Sequence, residues 1–254
     1  MADLSVNFVG LELKNPIIAS SATPTYCAKF IKKAEDGGAG AVVTKTVRFR
    51  TEFITRPRFM LVNKGADYDY SLTEKGAYFT LFRASDPYPI ADKFVDELKK
   101  AKKMVNIPII VSIGGDTAEE YEKLAIMMQE AGADALELNF HFPRNKTIQV
   151  YVDMLKAVKK VAKVPVIAKL MYAWHDPVEA AKQMEVAGAD AITALGSVSL
   201  SALEIDVDNA RPYLQPTHYG PGGSWFRPIS LSYVEKVAKA VKLPIYGVTG
   251  VVDW

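Results

Sequence analysis

Several apolar runs in this sequence end in polar residues, at Ser20, Lys45, Ser112, Asn139, Lys169 and Gly196. If those runs are the inner strands of one sheet, their ends share a pocket holding two ammonium groups among neutral hydrogen-bonding groups, a set that suits an anionic ligand. A single rim lysine can be explained as a side chain reaching past an apolar wall to solvent. Two, at the ends of separate strands, point to a bound anion. Gly222, Gly223 and Gly250 fall in late loops, where backbone N–H groups can cradle a phosphate, so a phosphate-bearing cofactor fits. Of the histidines His141, His175 and His218, His141 directly follows a strand and is the one placed for proton transfer at neutral pH. No H-E-x-x-H, G-x-G-x-x-G or Walker A sequence occurs, so neither a metal site, a Rossmann dinucleotide site nor a P-loop is expected. A desolvated Lys45 or Lys169 would also suit a Schiff-base lyase, which keeps a second chemistry open.

Composition narrows the partners. The 254 residues are 49% hydrophobic and 24% charged, enough to bury one large α/β core. The 31 basic and 29 acidic residues are spread along the chain, so no basic stripe argues for nucleic acid and no amphipathic tract for a membrane. No apolar run approaches the roughly 20 residues of a bilayer span, and the N-terminus lacks a signal-peptide layout. A cytoplasmic protein is expected. Cys27 is the single cysteine and cannot hold an iron–sulfur cluster, which needs about four thiolates; such a cluster would sit on another chain.

Two short phrases alternate, and they predict the elements that must position the pocket. One is a Gly-Ala turn leading into a strand, at Gly38-Ala39-Gly40-Ala41, Gly132-Ala133-Asp134-Ala135 and Gly188-Ala189-Asp190-Ala191; the other is a proline opening a strand, at Pro108, Pro165 and Pro244. Gly132 and Gly188 are 56 residues apart and Pro108 and Pro165 are 57 apart, room for a pair of βα units of about 28 residues each. Glycine can end a helix in the left-handed conformation, and proline at the first position of a strand costs no ladder bond. Helices are expected over 91–105, 117–131, 146–162, 177–187 and 231–241, the second opened by a Thr117–Glu120 capping box. With 16–20 as the first strand, seven strands alternate with helices, the order of a (β/α)₈ TIM barrel in a single domain over 1–254. The alternation calls for an eighth strand of the Gly-Ala type that is missing before the chain ends at Trp254. Segments 46–90 and 197–230 follow strand C-termini, exceed ordinary βα-loop length and are expected to form lids.

The ordered words Gly10-Leu11-Glu12-Leu13-Lys14-Asn15-Pro16-Ile17-Ile18-Ala19-Ser20, Thr44-Lys45-Thr46, Pro57-Arg58, Asn63-Lys64-Gly65, Ser112-Ile113-Gly114-Gly115, Glu137-Leu138-Asn139 and Arg227-Pro228-Ile229 resemble the dihydroorotate dehydrogenase family, which includes the flavin domain of dihydropyrimidine dehydrogenase. The resemblance implies an FMN-dependent oxidoreductase of pyrimidine metabolism acting on a CH–CH or C=C bond. It also implies that Ala19, Ser20, Lys45, Thr46, Ser112, Asn139 and Lys169 line the flavin. Lys169 would lie near the N1 edge, where a cation stabilises the reduced ring, and Gly223 and Gly250 would approach the ribityl phosphate. Asn63, Asn139, Arg144 and Ser197 would face substrate. Lys45 and His141 are the candidate catalytic groups.

The departures concern substrate. Where the family reads Asn-Leu-Ser-Cys-Pro-Asn, with the cysteine or a serine as base, this chain reads Asn139-Phe140-His141-Phe142-Pro143-Arg144, and Phe142 cannot take a proton. Arg144 and Gly196 stand where pyrimidine-holding asparagines are usual, and Thr249 stands where glycine is usual. A site lacking those partners would leave pyrimidine groups unpaired at roughly 1–3 kcal/mol each, so an altered small-molecule substrate is expected. Two assemblies fit, a homo-oligomer and a complex with an electron-transfer subunit. Two other readings stay open: a non-catalytic flavin-binding or assembly subunit that has lost the base, and the lyase.

Overall fold

The computed structural model describes residues 2–50, 89–141, 146–171, 176–196, 205–212 and 226–251. The chain opens with a hairpin of β1 (Val6–Phe8) and β2 (Leu11–Leu13). It continues through β3 (Ile18–Ala19), α1 (Ala28–Asp36), β4 (Ala41–Val43), α2 (Ala91–Met104), β5 (Ile109–Ile113), α3 (Ala118–Glu130), β6 (Ala135–Asn139), α4 (Ile148–Val161), β7 (Val166–Met171), α5 (Pro177–Val186), β8 (Ala191–Gly196), a short pair β9 (Ile205–Asp206) and β10 (Arg211–Pro212), α6 (Arg227–Ala240) and β11 (Ile245–Gly247). A curled parallel sheet of seven strands runs in the order β3-β4-β5-β6-β7-β8-β11. Helices cover its outer face, the α/β barrel arrangement expected from the alternation. Among the described residues no helix is long and apolar enough to cross a membrane.

Alternation along each strand divides the core. Val42, Ile109, Val111, Ile113, Leu136, Leu138, Ala168, Leu170, Ile192 and Ala194 join the helices in one buried cluster. The opposite parity, Ala41, Val43, Ile110, Ala135, Ile167 and Ala191, forms a second cluster inside the curl, completed by Phe8 and Leu13. The hairpin therefore floors the barrel at the N-terminal ends of its strands. Read as a family word, this stretch does not disclose the hairpin. Its signal is the Val-x-Phe and Leu-x-Leu alternation about Val9-Gly10, both at positive φ (51° and 85°).

The repeated phrases are mechanical. Gly132 and Gly188 have φ of 105° and 94°. The following Ala133 and Ala189 amides donate back to Met128 and Met184 at 3.0 Å, closing α3 and α5. The next residue, Asp134, accepts the Ile109 amide and the Lys102 ammonium, each at 2.7 Å; Asp190 does the same for Val166 and Lys159, again at 2.7 Å. The prolines answer from the other side: the carbonyls of Pro108, Pro165 and Pro244 accept from Val42, Leu136 and Ile192 at 2.9–3.1 Å. Gly40 replaces the aspartate in the first repeat because a Cβ there would lie 2.1 Å from the Asn15 carbonyl oxygen. Asn15 supplies the clasp instead, donating to the Gly38 carbonyl at 2.9 Å.

The observed helices end within a residue or two of expectation, except that α6 starts at Arg227, four residues early, because Pro228 fits the first turn of a helix. Thr117 caps α3 as read, accepting the Glu120 amide, whereas the Glu120 carboxylate returns to the Asp116 amide at 2.7 Å. In the first expected lid, Val47 and Arg48 still pair with Ile113 and Ile90, so the segment begins on the rim. Residues 51–88 lie outside the described residues, and the second expected lid contains β9 and β10.

Candidate functional site

The inward parity that is apolar at the floor turns polar toward the strands' C-termini. Ser112 on β5, Glu137 and Asn139 on β6, Lys169 on β7, Thr193 on β8 and Tyr246 on β11 all belong to it. Two hydrogen-bonded groups result.

The upper group centres on Thr46, which is buried where the chain passes over the rim after β4. Its hydroxyl accepts from the Asn139 amide at 2.8 Å, and lies 3.1 Å from the buried Ser112 hydroxyl and 3.5 Å from that of Ser21. Asn139 is itself fixed: its carbonyl accepts from the Tyr121 hydroxyl at 2.8 Å, and its side-chain oxygen from the His141 amide at 3.3 Å. Tyr121 is enclosed, and burial raises its pKa far above the ordinary tyrosine range. Phe140 points the other way, into the helical layer, between Tyr121 and Tyr151 (ring centroids 6.1 and 5.4 Å away).

The lower group centres on Glu137, a residue 1% exposed. Its Oε1 accepts the Lys169 ammonium at 3.3 Å; its Oε2 accepts the Thr193 hydroxyl at 2.9 Å and also the Tyr246 hydroxyl. A carboxylate so far from water is tolerated only with such partners. Tyr246 is held well above the ordinary tyrosine pKa, by burial first and then by the Glu137 charge and hydrogen bond, so it stays a donor. Its ring stands edge-on to Phe8 at 5.6 Å, tying the network to the floor.

Of the residues singled out in the sequence, Thr46, Ser112, Asn139 and Lys169 thus come together. Lys45 is half-buried, continues the inward parity of Ala41 and Val43, and donates its amide to Thr25 at 3.1 Å. Ala19 ends β3 half-buried and Ser20 is exposed beside it, while His141 is half-buried at the start of its loop. Gly250 has φ 79° and lies so close to Arg227 that a Cβ would meet its backbone at 2.5 Å, so it joins the loop after β11 to the first turn of α6. Thr249 has φ 76°, a conformation glycine adopts freely and threonine does not. Asn63, Phe142, Arg144, Ser197 and Gly223 lie outside the described residues.

Glu137, Thr193 and Tyr246 are not among the site residues that the sequence singles out. The available signal is a glutamate inside the apolar run Ala135-Leu136-Glu137-Leu138, which a strand buried on both faces does not carry without a partner.

The curled sheet is shared with a Burkholderia cenocepacia J2315 protein provisionally assigned as a phosphonomutase, with TM-score 0.51 and 14% identity over 92% of this chain and 78% of that one, a likeness of fold alone. Sequence comparison reaches further. The chain is 33% identical over 99% of its length to "Dihydroorotate dehydrogenase B (NAD(+)), catalytic subunit" of Pyrococcus abyssi, covering 81% of that protein. It is 32% identical to the same-named subunit of Endomicrobium trichonymphae, over 98% of this chain and 79% of that one. The family described as Dihydroorotate dehydrogenase matches residues 3–253. With the glutamate, asparagine and lysine of its inner strands carried on a sheet of the expected order, the chain belongs to the dihydroorotate dehydrogenase family.

Proposed function

We propose that this chain is an FMN-dependent oxidoreductase acting on a CH–CH or C=C bond, with a substrate other than dihydroorotate. The observation that carries the reading is the inward set Ser112, Asn139 and Lys169, at the mouth end of three adjacent strands in a chain of this family. The donor set suits a flavin: hydroxyls, an amide and one ammonium match a ring edge rich in carbonyl and nitrogen acceptors. The start of α6, against which Gly250 closes, has no side-chain cap and no acidic residue in its first turn, which suits a phosphate. FMN, when bound, would supply the hydride acceptor.

Around it, Ala19, Ser20, Lys45, Thr46, Ser112, Asn139 and Lys169 would hold the ring, and Gly223 and Gly250 the phosphate. The linked hydroxyls of Thr46 and Ser112 orient Asn139, and Lys169 places positive charge at the ring's electron-rich edge. Substrate would meet Asn63, Asn139, Arg144 and Ser197, with 46–90 and 197–230 as lids over the mouth. His141 is the group we assign to proton transfer, because the usual base position is Phe142. The relatives are named as catalytic subunits of an NAD(+) enzyme, which supports a partner subunit that passes electrons on, in an assembly with more than one copy of this chain.

Purified protein reconstituted with FMN should show a bound-flavin spectrum; failure to retain flavin would refute the reading. Dihydroorotate should not bleach that spectrum, and Phe142→Cys should not make it do so, since the pyrimidine-holding groups differ as well as the base. His141→Ala should lower native turnover about 10²- to 10⁴-fold. Flavin binding without reduction by any donor would favour an assembly role instead. The lyase reading loses support at Lys169, whose ammonium is engaged by Glu137; borohydride should trap no carbonyl compound on it.

A further inference from the structure

The Glu137 carboxylate stands one pleat below Asn139, under the mouth, and receives three donors from three other strands. Two are uncharged hydroxyls, both on Oε2. The third, on Oε1, is the Lys169 ammonium. Among the described residues Glu137 is that ammonium's hydrogen-bond partner, at 3.3 Å and with Lys169 12% exposed. The contact uses one of the three N–H groups an ammonium carries. The others remain for whatever lies above. If the carboxylate served only to balance a buried lysine, it would add little, because apolar pairs often replace buried ion pairs without loss of stability. Nor does the fold need the charge, because the layer beneath it, Ala135, Ile167 and Ala191, packs without any.

We propose that Glu137 is a positioning residue: clasped by Thr193 and Tyr246, it anchors the Lys169 ammonium in the mouth half of β7 and partly offsets its charge, and so sets how strong a cation the barrel presents to an electron-rich ring bound above. The inference rests on the FMN reading for the identity of that ring. Hydroxyl donors draw charge toward Oε2 and away from the lysine, so Thr193 and Tyr246 tune the offset while Glu137 supplies it. Tyr246 belongs to β11 and Thr193 to β8, which places the tuning groups on strands other than the one carrying the lysine.

The test is the midpoint potential of bound FMN, by spectroelectrochemistry, in wild type, Glu137→Gln, Lys169→Met, the double variant, Thr193→Val and Tyr246→Phe. Glu137→Gln should shift the oxidised–reduced equilibrium toward reduced flavin by about tenfold, because the Lys169 ammonium loses both its anchor and the charge that offsets it. In the Lys169→Met background that shift should fall below half. The hydroxyl variants should move the equilibrium the opposite way, a sign reversal that loss of packing does not produce. No shift in Glu137→Gln, or a shift more than half retained without Lys169, overturns the proposal. If Glu137→Gln does not fold, the hydroxyl variants decide: no change in either, or a change in the Glu137→Gln direction, overturns it. In flavin-free protein, Glu137→Gln should bring Tyr246 ionisation down, read as phenolate absorbance absent when Tyr246→Phe is added. Absence of that change shows that Glu137 carries no charge and also overturns the proposal. Failure of every variant and the wild type to bind FMN, with the phenolate change intact, would instead overturn the flavin reading and leave the clasp standing.

Discussion

Tyr246 must keep its proton to donate to Glu137, and the fold holds it to that state. Its pKa is raised in the folded chain by burial and by the adjacent carboxylate, while an unfolded tyrosine ionises near about 10. For a group whose folded value is the higher, the stabilisation is complete below the unfolded value and is lost as pH rises past it. Urea unfolding should therefore show a steep loss of stability above about pH 10, and Tyr246→Phe should make that slope shallower at the cost of some stability near neutrality. Tyr121, also raised by burial, contributes to the same slope, so Tyr121→Phe should flatten it further. At Thr249 the backbone is the issue. A β-branched residue at φ 76° is strained by roughly 1–2 kcal/mol, and Thr249→Gly should raise the urea midpoint, less the entropy glycine gains on unfolding. A fall in that midpoint would mean that the threonine side chain holds the loop.

Elements were legible where a residue type does one mechanical job repeatedly. Gly132 and Gly188 end helices, Pro108, Pro165 and Pro244 start strands, and the spacing between them counts out the barrel. The structure adds why the letters are those: Asp134 and Asp190 clasp the preceding strand's first amide, and Gly40 departs from the pattern because Asn15 occupies the space. Asp134→Ala should cost about 1–3 kcal/mol, leaving the Ile109 amide unmet, with faster hydrogen exchange at that amide as the local readout. Gly40→Ala should cost about 3 kcal/mol or more, because backbone and not a flexible side chain must give way. The candidate site was legible less evenly. Lys169 and Asn139 stood out as polar ends of apolar runs, but Thr193 and Tyr246 are ordinary strand formers whose role depends on which strands become neighbours. Sequence spacing carries no trace of a carboxylate 56 residues from one donor and 109 from another.

At the scale of the molecule, the hairpin at the N-terminal end decides what lies under the site. Phe8 and Leu13 close the interior below Tyr246, and Phe8 braces its ring directly. Phe8→Ala should cost about 3–5 kcal/mol by leaving a cavity. It should also loosen Tyr246, so that the variant's phenolate appears at lower pH than in wild type. An unchanged phenolate titration would show that Glu137, not the floor, governs Tyr246.

The clasps made by Asp134, Asp190 and the three prolines all lie at the end of the barrel opposite the mouth. Residues that hold strands in register are thus physically separate from the polar set Ser112, Asn139 and Lys169 at the mouth, and inheritance can revise one set without endangering the other. Substitutions at 142 and 144 should leave the fold standing, because neither position is among the clasp residues. Libraries randomised at 141–144 should accordingly yield soluble protein in most clones, whereas libraries randomised at 132–135 should yield little, the contrast expected of a barrel whose mouth can vary while its clasped end cannot.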